Sequence, residues 1–599
     1  MTRILYILFF LTLLPCTIRA SFVEGGKREF PISCNGVPCA VDSTNRGLYC
    51  SVKPEEGDSI KLVFTSETVQ YLRINYKRYN MGDTVRLLNS MRRTYKLYIG
   101  AKMQLWTLYI TTLPIVMIEA SGYEHDVYHH GYLNVIDPWK RTKNSALFQH
   151  FIGARIRGAH TSGLAKKPYA IKLWDAKREG KNVSVLGLMK DDNLILDAMY
   201  NDKARMRTRL CFDLWNQIDS IPYEISAGHS KVNGTQGRFV EVFVDGAYNG
   251  LYCITDKINR RKLDLVKTES DADGKLTYHG LLYKATGWSN ETQFNNVDDN
   301  ANTANTLWWR EWEQKYPDDS VQMANWSPLK KLIKFAAPAT NPNNTNFASL
   351  LRKKFYQQNL TNFMLFINVL HINDNNCKNT YISFRDIDAP YAAALITPWD
   401  LDASLGRNWD GGVLDSFGFG GQVTACGLFK RLFDGGPHYY RENFRDTWIR
   451  LKNGVLSTDS VNSRILAYKD LLYTSGAWGR EMTRWPNSMA GIDSETEYMM
   501  DWYARSVHYT DSILAGFPSA INDVRTMPGG GVSVAVDGGC IVVNSEAGTA
   551  DIAVYSTDGA LLESETATTP FRSRQLENGI YIVSVKAGDA TLRKKVLIR

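Results

Sequence analysis

The sequence predicts an α+β chain of several domains, and three observations carry that reading. Period-two alternation marks Ser59–Phe64, Tyr95–Ile99 and both arms of the stretch from Phe239 to Lys257 as strands, and two further strands run from Ala154 to Gly158 and from Lys166 to Leu173. Helical spacing appears at Met206, Leu210, Leu214 and Ile218, a long amphipathic helix is expected from Phe347 to Leu370, and several helices within Leu428 to Leu514. From about Met527 the composition shifts to short strands separated by turns. Strands and helices are therefore segregated along the chain, the pattern of α+β proteins, and 599 residues exceed a single domain.

Residues 1–20 read as an export leader. Arg3 precedes the apolar run from Ile4 to Leu14, and Ala20 supplies a small residue before cleavage. That run is too short to span a bilayer and no other apolar stretch reaches spanning length, so the expected location is secreted or at the outer cell surface, with no transmembrane segment in the mature chain. Hydrophobic residues at 44% and aromatics at 12% suffice for packed cores. The formal charge of +8 is dispersed, and without a long Lys/Arg block nucleic acid is not an expected partner.

Residues 21–140 form an expected N-terminal β domain with no catalytic signature. Cys34, Cys39 and Cys50 cluster there, and an oxidising compartment allows Cys39 to pair with either neighbour. No Cys/His spacing suggests structural zinc, and His125, His129 and His130 read as residues of a polar loop.

Two strands around an Ala-His-Thr-Ser-Gly turn follow, Ala154 to Gly158 and Lys166 to Leu173, a hairpin whose N–H groups and lysines suit phosphate. Asp202 is placed to cap the helix after it, with Arg205, Arg207 and Arg209 as a charged flank, and Asp245-Gly246 marks a tight hairpin. Residues 266–345 read as an elaboration: the polar run Asn290 to Asn305 as loop, and Trp308, Trp309 and Trp312 as a core cluster at helical spacing.

The chemistry-bearing stretch is Leu370 to Gly406. Asp374 and Asn379 have the Asp-x4-Asn spacing of a kinase catalytic loop, in which the Asp accepts the acceptor hydroxyl's proton and the Asn holds magnesium. After an apolar run, Trp399-Asp-Leu-Asp402 offers Asp400 and Asp402 as second ligands for Mg²⁺ or Mn²⁺, and spacing does not choose between them.

The ordered set RIRGAHTSGLAKKPYAIKL, LGL, DAMYNDKARMRTRLCFDLW, VEVFVDGAYNGLYCITDKI, DNNCKN and PWDLDASLG resembles the spore coat protein H-like (CotH) kinase family, from about Ala154 to Arg407 and onward to about Phe517. The resemblance implies a kinase-like domain over residues 141–520 in an atypical protein-kinase-like two-lobed fold, ATP with Mg²⁺ or Mn²⁺ as cofactors, and transfer of the γ-phosphate to Ser/Thr hydroxyls of exported protein substrates. Carried over to this chain, it assigns Asp374 and Lys167 to catalysis, and Asn379, Asp400 and Asp402 to the metal. It places Arg157, Gly158, Ser162, Lys167, Lys172 and Asp256 around the nucleotide, with Lys167 preferred to Lys172 as the phosphate lysine and Asp256 standing where many members carry glutamate. Lys378 also matches the family, without a defined role. Arg407 to Gly412 falls where a kinase keeps its activation segment.

Gly529-Gly-Gly531 reads as a flexible joint before a β-sandwich over residues 527–599, which resembles the sorting domains of type IX secretion and implies the secretion machinery as a partner. The alternative function is a kinase-fold adhesin without catalysis, binding carbohydrate or protein at the surface.

Overall fold

The computed structural model describes residues 22–23, 27–28, 32–53, 59–64, 71–74, 76–80, 83, 85–88, 94–99, 104–142, 145–298, 306–318, 323–338, 347–390, 392–419, 425–435, 438–517, 532–556, 561–588 and 590–598. The leader at 1–20, the glycine joint at 529–531 and the second half of the Asn290 to Asn305 loop lie outside them. Strands and helices are segregated as an α+β chain requires. Among the described residues no helix is long and apolar enough to cross a membrane, a statement that does not extend to strand-built spans.

The N-terminal module holds a four-stranded and a six-stranded sheet. Leu48, Leu62, Leu72, Leu97, Trp106 and Leu108 from both sheets share one core. Cys39 is bridged to Cys50 and Cys34 is a buried thiol, which resolves the open pairing.

The module ends earlier than the expected boundary at 140. Ile115–Ala120 (β1) and His129–Ile136 (β2) are the first strands of a closed seven-stranded barrel, continued by Leu147–Ile156 (β3), Tyr169–Trp174 (β4), Asn193–Asp197 (β5), Gly237–Val244 (β6) and Ala247–Thr255 (β7). Closure comes from parallel pairing of β1 with β6, a contact more than 120 residues distant that no local pattern displays. Val116, Ile118, Leu133 and Val135 point into the barrel with Ile171, Leu173, Leu196 and Val240. On the opposite face Ile115, Met117 and Ile136 join Tyr49, Phe243 and Tyr248 against the N-terminal module. Both faces are therefore apolar, and the alternation that would have assigned these strands to one layer is erased. The β6–β7 turn has Asp245 and Gly246 at φ 49° and 79°, the pair of left-handed residues a tight hairpin needs.

After the barrel's fifth strand comes Arg207–Ile218 (α1), whose first turn is capped from outside the helix: Asp202 Oδ2 accepts from the N–H groups of Met206 and Arg207, both at 2.6 Å. The three arginines expected as a charged flank are instead buried. Arg205 pairs with Glu481 at 2.8 Å, Arg207 with Asp202 and Glu495 at 2.7 Å each, and Arg209 with Asp213 at 2.6 Å. Burial is tolerated because every charge finds an opposite one.

A second sheet contains Leu281–Ala285 (β8), Trp308–Trp309 (β9), Trp312–Tyr316 (β10), Thr380–Phe384 (β11) and Ala394–Pro398 (β12), in the order β9-β10-β8-β11-β12. The tryptophan cluster is thus a hairpin and not a helix, with Arg310 and Glu311 at φ 46° and 61° making its turn. Trp309 and Trp312 are buried, whereas Trp308 is exposed.

The helix expected from Phe347 to Leu370 is two helices, Phe347–Lys354 and Gln357–Val369 (α2). The break arises where Tyr356 N–H leaves the helix to bond the Ala394 carbonyl at 3.2 Å. Nor is α2 amphipathic, for every residue from Asn359 to Val369 is buried. Its polar members are satisfied inside: Asn359 and Asn362 donate to the Asp219 carboxylate at 2.7 and 2.9 Å. Further helices include Thr458–Thr474, Ala477–Arg484 (α3) and Ile492–Leu514 (α4).

A separate compact unit comprises residues 437–449 and 514–599. Its strands form a three-stranded and a four-stranded sheet that share Val534, Ile541, Val543, Ile552, Val554, Val583 and Val585 in one core, a β-sandwich.

Candidate active site

The β11–β12 hairpin sets the site's spacing. Its register pairs Thr380 with Pro398, so Asn379 and Trp399 leave the same end of the ladder, joined by the Trp399 N–H to Asn379 carbonyl bond at 3.0 Å. Asp400 follows immediately. Asp374 arrives from the other side, on a short 3-10 turn, Asn373–Asn375, after α2. Buried Asn375 fastens turn and hairpin together, its amide donating to the carbonyls of Asn379 (3.1 Å) and Trp399 (2.5 Å). Asn379 and Asp400 both hold left-handed backbone, at φ 52° and 60°. Asn and Asp tolerate this conformation best among non-glycine residues, and its presence at both positions turns their side chains off the strand line.

These residues line one cleft of about 460 Å³, together with Arg157, Gly158, Lys284, Lys378 and Asp402. Asp374 accepts from Lys378 at 2.9 Å and from Asn379 Nδ2 at 2.8 Å. Burial pushes its carboxyl up, and Lys378 pulls it back. Asp402 is driven well above the carboxylate range by burial and then by Asp400 and Asp197. Asp197, at the end of β5, is itself raised by burial and shares a small adjoining cavity with Asp400 and Asp402. Carboxylates crowded in this way repel one another until a cation sits among them. Asp400, Asp402 and Asn379, whose Nδ2 donates to Asp374 and leaves Oδ1 as an acceptor, line the same cleft, and an all-oxygen donor set of this kind fits a hard divalent ion.

Of the residues expected around the nucleotide, Arg157 and Gly158 line the cleft. The Arg157 guanidinium lies 5.5 Å from the Trp399 ring centre. Gly158 has φ 97°, and a Cβ there would meet Thr161 Oγ1 at 2.1 Å. The other four do not line the cleft. Ser162 Oγ donates to the Ala159 carbonyl at 2.7 Å, and Lys167 Nζ donates to the Ser162 carbonyl at 2.8 Å, so both brace the turn. Lys172 alternates with the inward residues of β4 and so lies on the barrel's outer face opposite Asn193, the face on which Ala170, Asn193 and Ile195 line a small cavity beside the cleft. Asp256 is buried, accepting from Lys262 Nζ and from the Gln236 N–H, each at 2.8 Å.

Several groups at the site were not anticipated. Lys166 is buried, donating to Glu481 Oε1 at 2.7 Å and to the Leu251 carbonyl. Burial lowers its ammonium to about 8 against the pull of Glu481. Glu481 also takes the Leu251 N–H at 2.8 Å, so this one carboxylate ties the barrel, the approach to α1 and α3 together. Lys284 projects from β8 into the cleft, 6.0 Å from the Trp399 ring, and burial brings it down to about 8 while Asp400 opposes the shift. A single lysine inside the apolar alternation Leu281-Leu-Tyr-Lys-Ala285 was the available signal for it.

A search of curated proteins finds no match. The model of one family, described as CotH kinase protein, matches residues 154–509, which is more than half of the chain and takes in every site residue named above. The chain belongs to the CotH kinase protein family.

Proposed function

We propose that this protein is an exported kinase that binds ATP with Mg²⁺ or Mn²⁺ and transfers the γ-phosphoryl group to Ser/Thr hydroxyls of other exported proteins. The barrel acts as one lobe, and the second sheet with its helices as the other. The observation that carries the reading is the convergence of Asp374, Asn379, Asp400 and Asp402 on one cleft that also receives Arg157 and Lys284.

Phosphoryl transfer demands placement and charge compensation more than covalent chemistry. A bound divalent ion supplies charge neutralisation at the phosphate oxygens. Asp400, Asp402 and the Asn379 Oδ1 are the residues that would hold it. Asp374 orients the acceptor hydroxyl and takes its proton. Lys378 and the Asn379 amide fix the carboxylate of Asp374 for that task. Arg157 and Lys284, both placed over the Trp399 ring, bring positive charge to the phosphates.

Export is supported by the leader at 1–20 and by the Cys39–Cys50 bridge, which suits an oxidising compartment. The C-terminal sandwich acts in sorting to the cell surface. The second reading, a binder without transfer, draws on two aromatic side chains at the cleft, Trp308 at 55% exposure and Trp409 at 48%. Incubation with γ-labelled ATP, Mg²⁺ or Mn²⁺ and a serine-rich protein separates the two. Label transfer by the wild type and none by Asp374→Asn is the expected result. ATP binding without transfer to any acceptor, including the chain itself, would favour the binder.

A further inference from the structure

Two thiols meet beside the Asp374 turn. Cys377 stands in the loop between Asp374 and Asn379, and Cys426 immediately precedes the helix Gly427–Gly435. Both are free thiols, buried at 5% and 2% exposure. Cys211, Cys253 and Cys540 direct their sulfurs at oxygens, the Ser404 hydroxyl at 3.4 Å and the Ile254 and Gly538 carbonyls at 4.0 Å each. Cys377 and Cys426 instead interact thiol to thiol. They share the wall of a cavity of about 20 Å³ with Phe294, Trp312, Phe363 and Phe429, which leaves the sulfurs room to shift and none for a ligand. The backbone on either side is anchored. The Gly427 N–H donates to the Gln293 carbonyl at 2.7 Å and the Asn295 amide to the Ala425 carbonyl at 3.2 Å, so both neighbours of Cys426 are tied to one loop. On the other partner's side, Thr380 Oγ1 donates to the Lys378 carbonyl at 3.1 Å.

We infer that Cys377 and Cys426 are a cross-linking site, and that in an oxidising compartment they close a disulfide fastening the Asp374–Asn379 loop to the helix Gly427–Gly435. From the export reading above, the inference takes only its compartment. The oxidant is a small-molecule disulfide. One cysteine thiolate attacks it and releases a first thiol; the second cysteine attacks the mixed disulfide and releases another, so two S–H protons and two electrons pass from the pair to the oxidant. With both sulfurs buried in the folded chain, this exchange belongs to folding, before the loop docks on the helix. The segment so closed contains Asn379, Asp400 and Asp402, and the bond fixes both ends of the stretch that carries the proposed metal ligands. Two thiols that only packed would fill the space as small apolar groups and answer to no oxidant.

The test refolds the full chain in a glutathione redox buffer and, in parallel, under reductant, as wild type and as Cys377→Ser/Cys426→Ser. After alkylation, proteolysis of the oxidised wild type without reduction yields a peptide pair joined through Cys377 and Cys426. Oxidation raises the thermal midpoint of the wild type by at least about 3 °C more than that of the variant, in which the Cys39–Cys50 bridge still forms, because the new bond closes a loop of about 50 residues. A packing role alone lowers the variant's midpoint equally under both conditions. Cys377 and Cys426 both alkylated in a wild type whose Cys39–Cys50 bridge has formed overturns the site, as does an equal oxidation shift in the two proteins. The peptide map needs only the wild type, so a variant that fails to fold leaves it decisive. The buffer supplies the oxidant, so the result is independent of export. Label transfer by a wild type lacking the cross-link defeats this inference alone, and a cross-linked wild type without transfer defeats the kinase reading alone.

Discussion

The two walls of the cleft are built in different ways. The carboxylate wall comes from one continuous stretch: Asp374, Asn379, Asp400 and Asp402 are delivered by a turn and the single hairpin β11–β12. The cationic wall is assembled from distant pieces, Arg155 on β3, Arg157 just after it, Lys284 on β8 and Lys315 on β10. A wall made by local register leaves its spacing in the sequence. A wall made by tertiary assembly leaves only isolated lysines, each indistinguishable from a solvated one until the strands are placed.

The sharpest way to break this comparison is on the carboxylate side. Asp374→Asn and Asp400→Ala are each expected to lower label transfer by about a thousandfold or more, equivalent to ~4 kcal/mol of barrier, with thermal unfolding unchanged. A loss below tenfold in both would show that the local register does not build the reacting centre.

Next in size is the carboxylate that ties the barrel to α3 and to the approach to α1. Glu481 is fully buried and serves Lys166, Arg205 and the Leu251 N–H, so Glu481→Ala leaves two cations and a donor uncompensated. Denaturant unfolding should report a loss of about 3–5 kcal/mol. A change under 1 kcal/mol would mean that barrel and helices are joined by packing alone.

A third effect is a pH dependence beneath the site. Burial raises Asp219 to about 6, although three asparagine amides favour its charged form. The unfolded carboxyl ionises first, near its ordinary value of 3.8, so the folded protein binds the extra proton between these values. This group's contribution is therefore complete below about pH 4 and declines as pH rises through 6, by an amount on the order of 3 kcal/mol. Asp219→Asn should flatten that part of the stability profile, and an unchanged slope would assign it to other carboxyls.

The smallest expected effects sharpen the cationic side. Lys284→Ala should weaken ATP binding at least about tenfold, through loss of a charged contact in a partly dehydrated cleft. Lys167→Ala, which removes a brace on the Ser162 turn outside the cleft lining, should change it by less than about threefold. The reverse ranking would return the phosphate lysine to Lys167.

Much of the α+β layout and the pair Asp374/Asn379 was legible because helical and strand periods and a fixed loop spacing are local properties. The same locality explains the misreadings. Trp308, Trp309 and Trp312 have helical spacing, yet left-handed Arg310 and Glu311 fold them into a hairpin. Asn359 and Asn362 look like the wet face of an amphipathic helix, but Asp219 satisfies them indoors from 140 residues away. Arg205 and Arg207 look solvated for the same reason, since Glu481 and Glu495 lie far along the chain. Lys166 and Lys167 are adjacent and alike in sequence, and only the fold distinguishes the buried partner of Glu481 from the brace of a surface turn.

The central claim is that one divalent ion, held by Asp400, Asp402 and Asn379, meets a nucleotide in this cleft. Calorimetric titration of ATP with and without Mn²⁺, in the wild type and in Asp400→Asn, tests it most directly. The account predicts that Mn²⁺ strengthens ATP binding to the wild type by tenfold or more and has little influence on the variant. An equal metal effect in both proteins, or none in the wild type, would contradict it.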